Sequence, residues 1–305
     1  MRYINLKWAK SEDDGKFNFG DDLGPYIINK LSGKEVRYFH FANSRMNIIK
    51  QFLHGVFNGR LSKKYAGDFL RCFFAKDYLI SIGSILQWYG SSRCIVWGSG
   101  IINQQDNIQN SSFLAVRGKY TQARIKELGY TAPEVIGDPA LIMPLIYNPD
   151  VKKKYKLGII PHITHYEIIG SKISSPEINI IKLDDHDLEK VIDEIVSCDY
   201  TISTSLHGVI VSHAYNVRSL WFSYNSKPIP GNNVKFLDYF SSVGIPEYKP
   251  FTFELEKTIN LHEIEDLILA NNDINHAKVD IRKIQEQLIS VAPFPVLEKF
   301  QVQRR

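Results

Sequence analysis

The amino-acid sequence predicts an α/β protein with two Rossmann-like domains facing a cleft and a helical C-terminal segment. Three observations carry that expectation. Short apolar strands alternate with amphipathic helical patterns, which implies βαβ units and parallel sheets. The alternation breaks once, over residues 144–156, where Asn148-Pro149 and the run Lys152-Lys153-Lys154 read as a connector. At 305 residues the chain is long enough for an ordinary domain on either side of the break. The expected boundaries are 1–147 and 156–250. Residues 251–305 are then helices that cross back to brace the first domain or offer a partner surface.

In chain order, Arg2 to Trp8 reads as a first strand, and the loop from Lys16 leads into a helix through Ile27, Ile28 and Leu31, ended by Gly33. Asp21 or Asp22 is placed to cap that helix, with Pro25 tolerated in its first turn. Val36 to Phe41 is a second strand. Tyr78-Leu-Ile-Ser-Ile-Gly-Ser and Cys94-Ile-Val-Trp-Gly-Ser-Gly run as apolar strands into small residues, and Phe113-Leu-Ala-Val-Arg-Gly repeats the design. Lys119 to Gly129 is a helix, and Glu134-Val-Ile-Gly-Asp-Pro-Ala-Leu is a strand with a sharp exit. The second series has strands at Leu157 to Pro161, Ile178 to Leu183, Asp199 to Thr204 and Ser219 to Ser223. Its helices run over His186 to Cys198, Val209 to Tyr215 and Lys235 to Val243. From Leu261 to Val291 the pattern gives two helices broken near Asn271-Asn272-Asp273.

Composition bounds the function. With 44% hydrophobic and 23% charged residues the chain is globular, and no apolar run approaches the roughly 20 residues needed to cross a bilayer. The start passes at once into Ser11-Glu-Asp-Asp, so it is not read as a signal peptide. Cys72, Cys94 and Cys198 lie outside any metal spacing and read as reduced thiols of a cytoplasmic protein. A net charge of +4 does not imply nucleic acid. The charge is uneven, however: eight Lys and Arg between Arg37 and Lys76 are opposed only by Asp68, and Met46, Ile48, Ile49, Phe52, Leu53, Val56 and Phe57 are interleaved, spaced for one face of a helix. Such a segment is either a peripheral contact with anionic lipid at the inner face of a membrane or an ordinary surface helix over a core.

The chemistry centres on residues 199–215. There Ser205-Leu206-His207-Gly208 reads as a turn that sets an imidazole at the carboxyl end of a strand, where ligands bind in open parallel sheets. From Leu206 to Leu237 there is no Asp or Glu, while His207, His213, Arg218, Lys227 and Lys235 all fall there, as suits a strongly anionic ligand. The alternative is a core turn with a hydrogen-bonded histidine. Arg117 closes a buried-type strand and either grips a carboxylate or phosphate bidentately or makes a surface salt bridge. Gly83-Ser84 and Gly98-Ser99-Gly100 permit close backbone approach to a ligand. In Asn18-Phe19-Gly20-Asp21-Asp22, the carboxylates either accept from sugar hydroxyls or only cap the helix.

In this order, Asn18-Phe-Gly-Asp-Asp-Leu, Val116-Arg-Gly, Gly137-Asp-Pro-Ala-Leu, Ser205-Leu-His-Gly and Lys235-Phe-Leu-Asp-Tyr resemble the polysaccharide pyruvyl transferases over about residues 1–245. The short bacterial members of capsule and exopolysaccharide synthesis are the most similar in kind. The resemblance implies a fold like that of the GT-B glycosyltransferases and transfer of the enolpyruvyl skeleton of phosphoenolpyruvate to a sugar. The product is a cyclic pyruvate ketal, with phosphate released and neither cofactor nor metal required. It also implies a sugar acceptor, lipid-linked in many such pathways, and maps the family's donor-binding arginine, histidine and lysine onto Arg117, His207 and Lys235. Ser205, Leu206, Gly208, Gly98 and Ser99 then lie on the donor side, and Asn18, Gly20, Gly83 and Ser84 on the acceptor side. His207, Asp21 and Asp22 are the candidate acid/base groups. An imidazole titrates near neutrality when unperturbed. Many relatives have an arginine where this chain has Ser205; if its phosphate contact is kept here, Arg218 or Lys227 supplies it. Two other readings stand beside this one: a nucleotide-sugar glycosyltransferase, against which the missing acid of 206–237 argues, and a non-catalytic sugar-binding protein of a polysaccharide assembly system.

Overall fold

A computed structural model describes residues 3–9, 17–41, 44–171, 173, 175–224, 227–252 and 259–301. Arg2, expected to open the first strand, and the polar stretch through Lys16 lie outside the described residues. Eleven strands and twelve α-helices are formed among the described residues. The first series is β1 (Tyr3–Leu6), α1 (Phe19–Ser32), β2 (Glu35–Tyr38), α2 (Arg45–Phe57), α3 (Lys63–Phe74), β3 (Tyr78–Ile80), α4 (Leu86–Tyr89), β4 (Cys94–Trp97), β5 (Ser112–Val116), α5 (Lys119–Glu127) and β6 (Val135–Ile136). A 3-10 turn (Pro139–Ile142) and α6 (Met143–Ile146) lead out of it. The second series is β7 (Tyr155–Ile160), α7 (Tyr166–Gly170), β8 (Ile178–Ile180), α8 (Leu188–Val196), β9 (Cys198–Ser203), α9 (Leu206–Ala214), β10 (Arg218–Ser223), α10 (Val234–Val243) and β11 (Phe251–Thr252). Helices α11 (Leu261–Ala270) and α12 (Ile281–Ser290) follow.

The chain is therefore of the α/β class expected, with two sheets whose pairings are all parallel. Six strands run in the order β2-β1-β3-β4-β5-β6, and five in the order β11-β10-β9-β7-β8. Both orders reverse direction once, between β1 and β3 and between β7 and β9. At such a reversal the loops leaving neighbouring strands diverge to opposite faces and leave a crevice at the carboxyl edge. Central strands buried on both faces need continuous apolar runs. Ile80, Val96, Trp97, Ile159, Ile160 and Ile202 supply them, each almost fully enclosed.

Bonds between the two series hold the crevices together. The Phe19 amide donates to the Leu183 carbonyl at 2.9 Å, and the Tyr147 hydroxyl to Asp193 at 2.8 Å. Helix α12 lies against the first series: Trp97 Nε1 donates to the Leu288 carbonyl at 2.9 Å and Gln285 Nε2 to the Leu141 carbonyl at 2.7 Å. No helix among the described residues is long and apolar enough to cross a membrane.

Candidate active site

At the first reversal, β1 leads into α1 and β3 into Gly83-Ser84. Helix α1 begins at Phe19, and its cap is Asn18, whose side chain accepts from the Gly20 amide at 3.2 Å. The expected cap at Asp21 or Asp22 is thus corrected: both lie inside the first turn, and Pro25 lies beyond it. The short amide side chain of Asn18 reaches the free N–H of Gly20, whereas the two carboxylates lie three and four residues further on, inside the helix. Asp21 projects toward Gly83, where an added Cβ would lie 3.5 Å from the carboxylate.

At the second reversal, Ser203 Oγ donates to the Ile160 carbonyl at 2.8 Å and accepts from the Ser205 amide at 3.0 Å, which pins the end of β9 to β7. The turn is shorter than expected, because α9 already begins at Leu206. His207 and Gly208 therefore ride on the first turn of that helix, where its dipole disfavours positive charge on the ring. Leu206 and Gly208 are buried. An added Cβ on Gly208 would lie 2.4 Å from Ser203 Oγ.

The two reversals meet at Gly20 and His207. A Cβ on Gly20 would stand 2.0 Å from His207 Nδ1, so only glycine lets α1 approach the imidazole this closely. The other ring nitrogen, Nε2, is out of solvent and has no hydrogen-bond partner among the described residues. A buried polar atom left unpaired costs about 1–3 kcal/mol and needs an explanation, for which a ligand is the ordinary one. His165 and His213 differ. The first contacts Thr204 Oγ1 and the Lys227 carbonyl at 2.9 and 2.7 Å, the second the Tyr239 hydroxyl and the Ser219 carbonyl at 3.0 and 3.3 Å. Both are structural.

Arg117 follows directly on β5 and is 1% exposed. Its Nε donates to Asp238 of α10 at 3.0 Å, one terminal nitrogen to Ser84 Oγ at 2.7 Å and the other to the Ile101 carbonyl at 2.6 Å. A guanidinium carries five N–H donors, and three are spent here. Asp238 also accepts from the Thr121 amide and hydroxyl at 2.9 and 2.6 Å, so it caps α5, whose own cap residue, Gly118, has no side chain. Ser99 is enclosed, with its hydroxyl donating to the Gly83 carbonyl at 2.7 Å, and Gly98 abuts Pro139.

The electrostatics of the crevice follow from burial. Desolvation, then the charge of Asp22, pushes the Asp21 carboxyl up to about 7, against the pull of Lys235. Desolvation and Arg117 bring the Lys235 ammonium down to about 8, with Asp21 opposing. Desolvation, then Arg117, Lys235 and His162, drives His207 down to about 3. Arg117, His207, Lys235 and Asp21 are thus one electrostatic unit, drawn from β5, α9, α10 and α1. An unperturbed imidazole would titrate near neutrality, but with these shifts His207 is neutral at pH 7, while the Asp21 carboxyl and the Lys235 ammonium lie at about 7 and about 8.

Three residues were not singled out by sequence. Asp238 lies just past the acid-free stretch, and its role is set by Arg117, 121 positions away. Asp138 belongs to the Gly137-Asp-Pro-Ala-Leu motif; its Oδ1 accepts from the Ala140 amide at 2.9 Å, its Oδ2 has no partner among the described residues, and burial lifts it to about 6. His162 follows β7, and burial, then Lys235 and His165, lowers it to about 4. Arg218 opens β10 at the amino edge of its sheet, so it does not replace the arginine missing at 205. Lys227 lies closer, with its ammonium on the Thr164 carbonyl at 3.2 Å. No group of three or more His, Cys, Asp or Glu among the described residues is placed to hold a metal.

Comparison with known proteins matches this chain to its relatives. Uncharacterized protein L143 of Acanthamoeba polyphaga mimivirus is 25% identical over 219 residues, covering 69% of this chain and 76% of the relative. Among solved structures, the E. coli heptosyltransferase WaaC with ADP-2-deoxy-2-fluoro heptose aligns over 88% of this chain and 99% of its own at 13% identity. Its TM-score is 0.34. The family model for polysaccharide pyruvyl transferase matches residues 18–226, from the cap of α1 past the end of β10, and so includes Asp21, Arg117 and His207. The chain belongs to the polysaccharide pyruvyl transferase family.

Proposed function

We propose that this protein transfers the enolpyruvyl skeleton of phosphoenolpyruvate onto two hydroxyls of a sugar, forming a pyruvate ketal in polysaccharide synthesis. The observation that supports this best is the bare Nε2 of His207, buried beside the cations Arg117 and Lys235 and a protonatable Asp21. Phosphoenolpyruvate carries a carboxylate and a phosphate on three carbons, and Arg117 and Lys235 are the groups to clamp them. Burial is the first cause of His207's neutrality and Arg117 and Lys235 come next; the donor's carboxylate and phosphate set negative charge beside the ring, which favours the imidazolium, so the imidazole gains a proton as the donor binds. His207 then gives that proton to the methylene carbon. One sugar oxygen bonds to the central carbon, phosphate leaves from it by C–O cleavage, and the second sugar oxygen takes its place. Two protons leave the sugar; one ends on the new methyl group and the other on phosphate. Asp21, about half ionised at neutral pH, is the acceptor of a hydroxyl proton. Atoms and electrons balance between donor and acceptor, so the proposal invokes no cofactor.

The test is phosphate release from phosphoenolpyruvate with a panel of galactosides, glucosides and mannosides, free and lipid-linked. Turnover should appear with one of them and fall by about 10²–10⁴ in His207→Ala with circular dichroism unchanged. A wild-type protein that binds the sugar but releases no phosphate with any acceptor overturns the proposal.

A further inference from the structure

The hairpin of α2 and α3 has two apolar faces where a surface helix needs one. Its inner face is an aromatic stack, with ring centroids of Phe52 and Phe69 4.0 Å apart and of Phe52 and Tyr65 5.4 Å apart. That stack accounts for the amphipathic pattern as a core element. The outer face is left over. Met46, Leu53 and Phe57 are 63%, 48% and 87% exposed, and their spacing of seven and four residues puts them on one stripe of α2 together with Lys50. At the tip of the hairpin, Leu61 is 62% exposed, and Arg60, Lys63 and Lys64 are exposed beside it. Between Val36 and Gly67 the chain has no acidic residue. A cavity of about 520 Å³ opens beside the two helices, with Arg60, Ser62 and Lys64 of the tip and also His54 and Asp68 in its lining.

We infer that α2 and the hairpin tip seat this protein on an anionic phospholipid surface, with Phe57 and Leu61 in the acyl boundary and Arg60, Lys63 and Lys64 among the phosphates. Charge complementarity selects this partner. An acid-free cluster of cations repels a basic surface. Bulky aliphatic and aromatic groups exposed between those cations match the depth profile of a lipid interface, apolar below and anionic above. The phosphate chemistry of the tip is shared by lipid headgroups and free phosphate esters, but only a bilayer also takes up Phe57 and Leu61.

Flotation of the full chain with phosphatidylcholine vesicles, with and without an anionic phospholipid, tests this. Binding is expected with the anionic vesicles at roughly 0.1 M salt and is expected to weaken strongly at roughly 1 M, where screening is nearly complete. Lys63→Ala/Lys64→Ala should weaken it about 30-fold, which is about 2 kcal/mol at 1.4 kcal/mol per tenfold. Phe57→Ser/Leu61→Ser should weaken it about tenfold or more. Circular dichroism checks the fold of each variant. The inference is overturned by absence of binding to anionic vesicles at low salt. Equal binding to neutral vesicles, or full competition by millimolar glycerol phosphate, overturns it too. So does sedimentation showing that Phe57→Ser converts an oligomer to a monomer, because the stripe would then be a protein interface.

Discussion

Two regions of this molecule are rich in positive charge, and they use it in opposite ways. In the crevice, Arg117 is buried and Lys235 half-buried, and desolvation first, then the neighbouring charges, brings Lys235 down to about 8 and His207 to about 3. On the α2–α3 hairpin, Arg60, Lys63 and Lys64 are exposed to water, which screens them from one another. The hairpin has more cations in a shorter stretch, yet the crevice is where charge alters chemistry. Density of Lys and Arg along a chain therefore does not by itself mark where chemistry is altered; removal of those groups from solvent does.

The sharpest way to break this comparison is Arg117→Ala. Removing one member of a buried ion pair leaves Asp238 uncompensated and should cost about 3–5 kcal/mol in denaturant unfolding, along with most of the activity. A loss below about 1 kcal/mol would show that water reaches the pair. Asp21→Asn tests the crevice in the other direction. The folded chain holds this carboxyl above its ordinary value, so ionisation opposes folding: the penalty is absent well below the ordinary 3.8, grows as pH rises and levels off above about pH 7. The variant should therefore gain stability across that range, to a ceiling of about 4 kcal/mol, while losing turnover. Thermal melts of both proteins at several pH values give the answer, and a constant difference would refute the burial of Asp21.

Gly20→Ala sharpens the comparison sterically. Its Cβ would stand 2.0 Å from His207 Nδ1, so the ring or the helix must move, at about 1–3 kcal/mol. Turnover should fall more than affinity for phosphoenolpyruvate, since the imidazole is displaced while Arg117 and Lys235 stay in place. Lys64→Ala on the hairpin should have the smallest effect, within about 0.5 kcal/mol of wild type, with unchanged turnover on a soluble acceptor. A larger change in steady-state kinetics would tie the hairpin to the crevice.

Much of the fold was legible because period and punctuation agree locally. β3, β4 and β6 run into serine or glycine, and Gly33 stops α1 in a left-handed conformation at φ 64° as its position implied. His207 was legible because a glycine-flanked histidine follows an apolar strand. Boundaries within a turn were not. The Asn18 cap and the early start of α9 are decided by which side chain reaches a free amide, and that depends on geometry one residue either way. Asp238 was illegible for another reason: it caps a helix and pairs an arginine in the other series, and no local pattern encodes a partner 121 positions away. The protonation states of Asp21 and His207 were hidden as well, since desolvation is a property of the assembled crevice.

The stitching of α12 to the first series carries a consequence for biosynthesis. Trp97 gives its indole proton to the Leu288 carbonyl and packs edge-on to Phe294, 5.1 Å between ring centroids. The ribosome must therefore add 191 residues after this tryptophan before its partner exists. During that interval the nascent first half presents an apolar gap that only the tail of the same polypeptide fills. Chains cut short near residue 280 should consequently be the ones that chaperones retain.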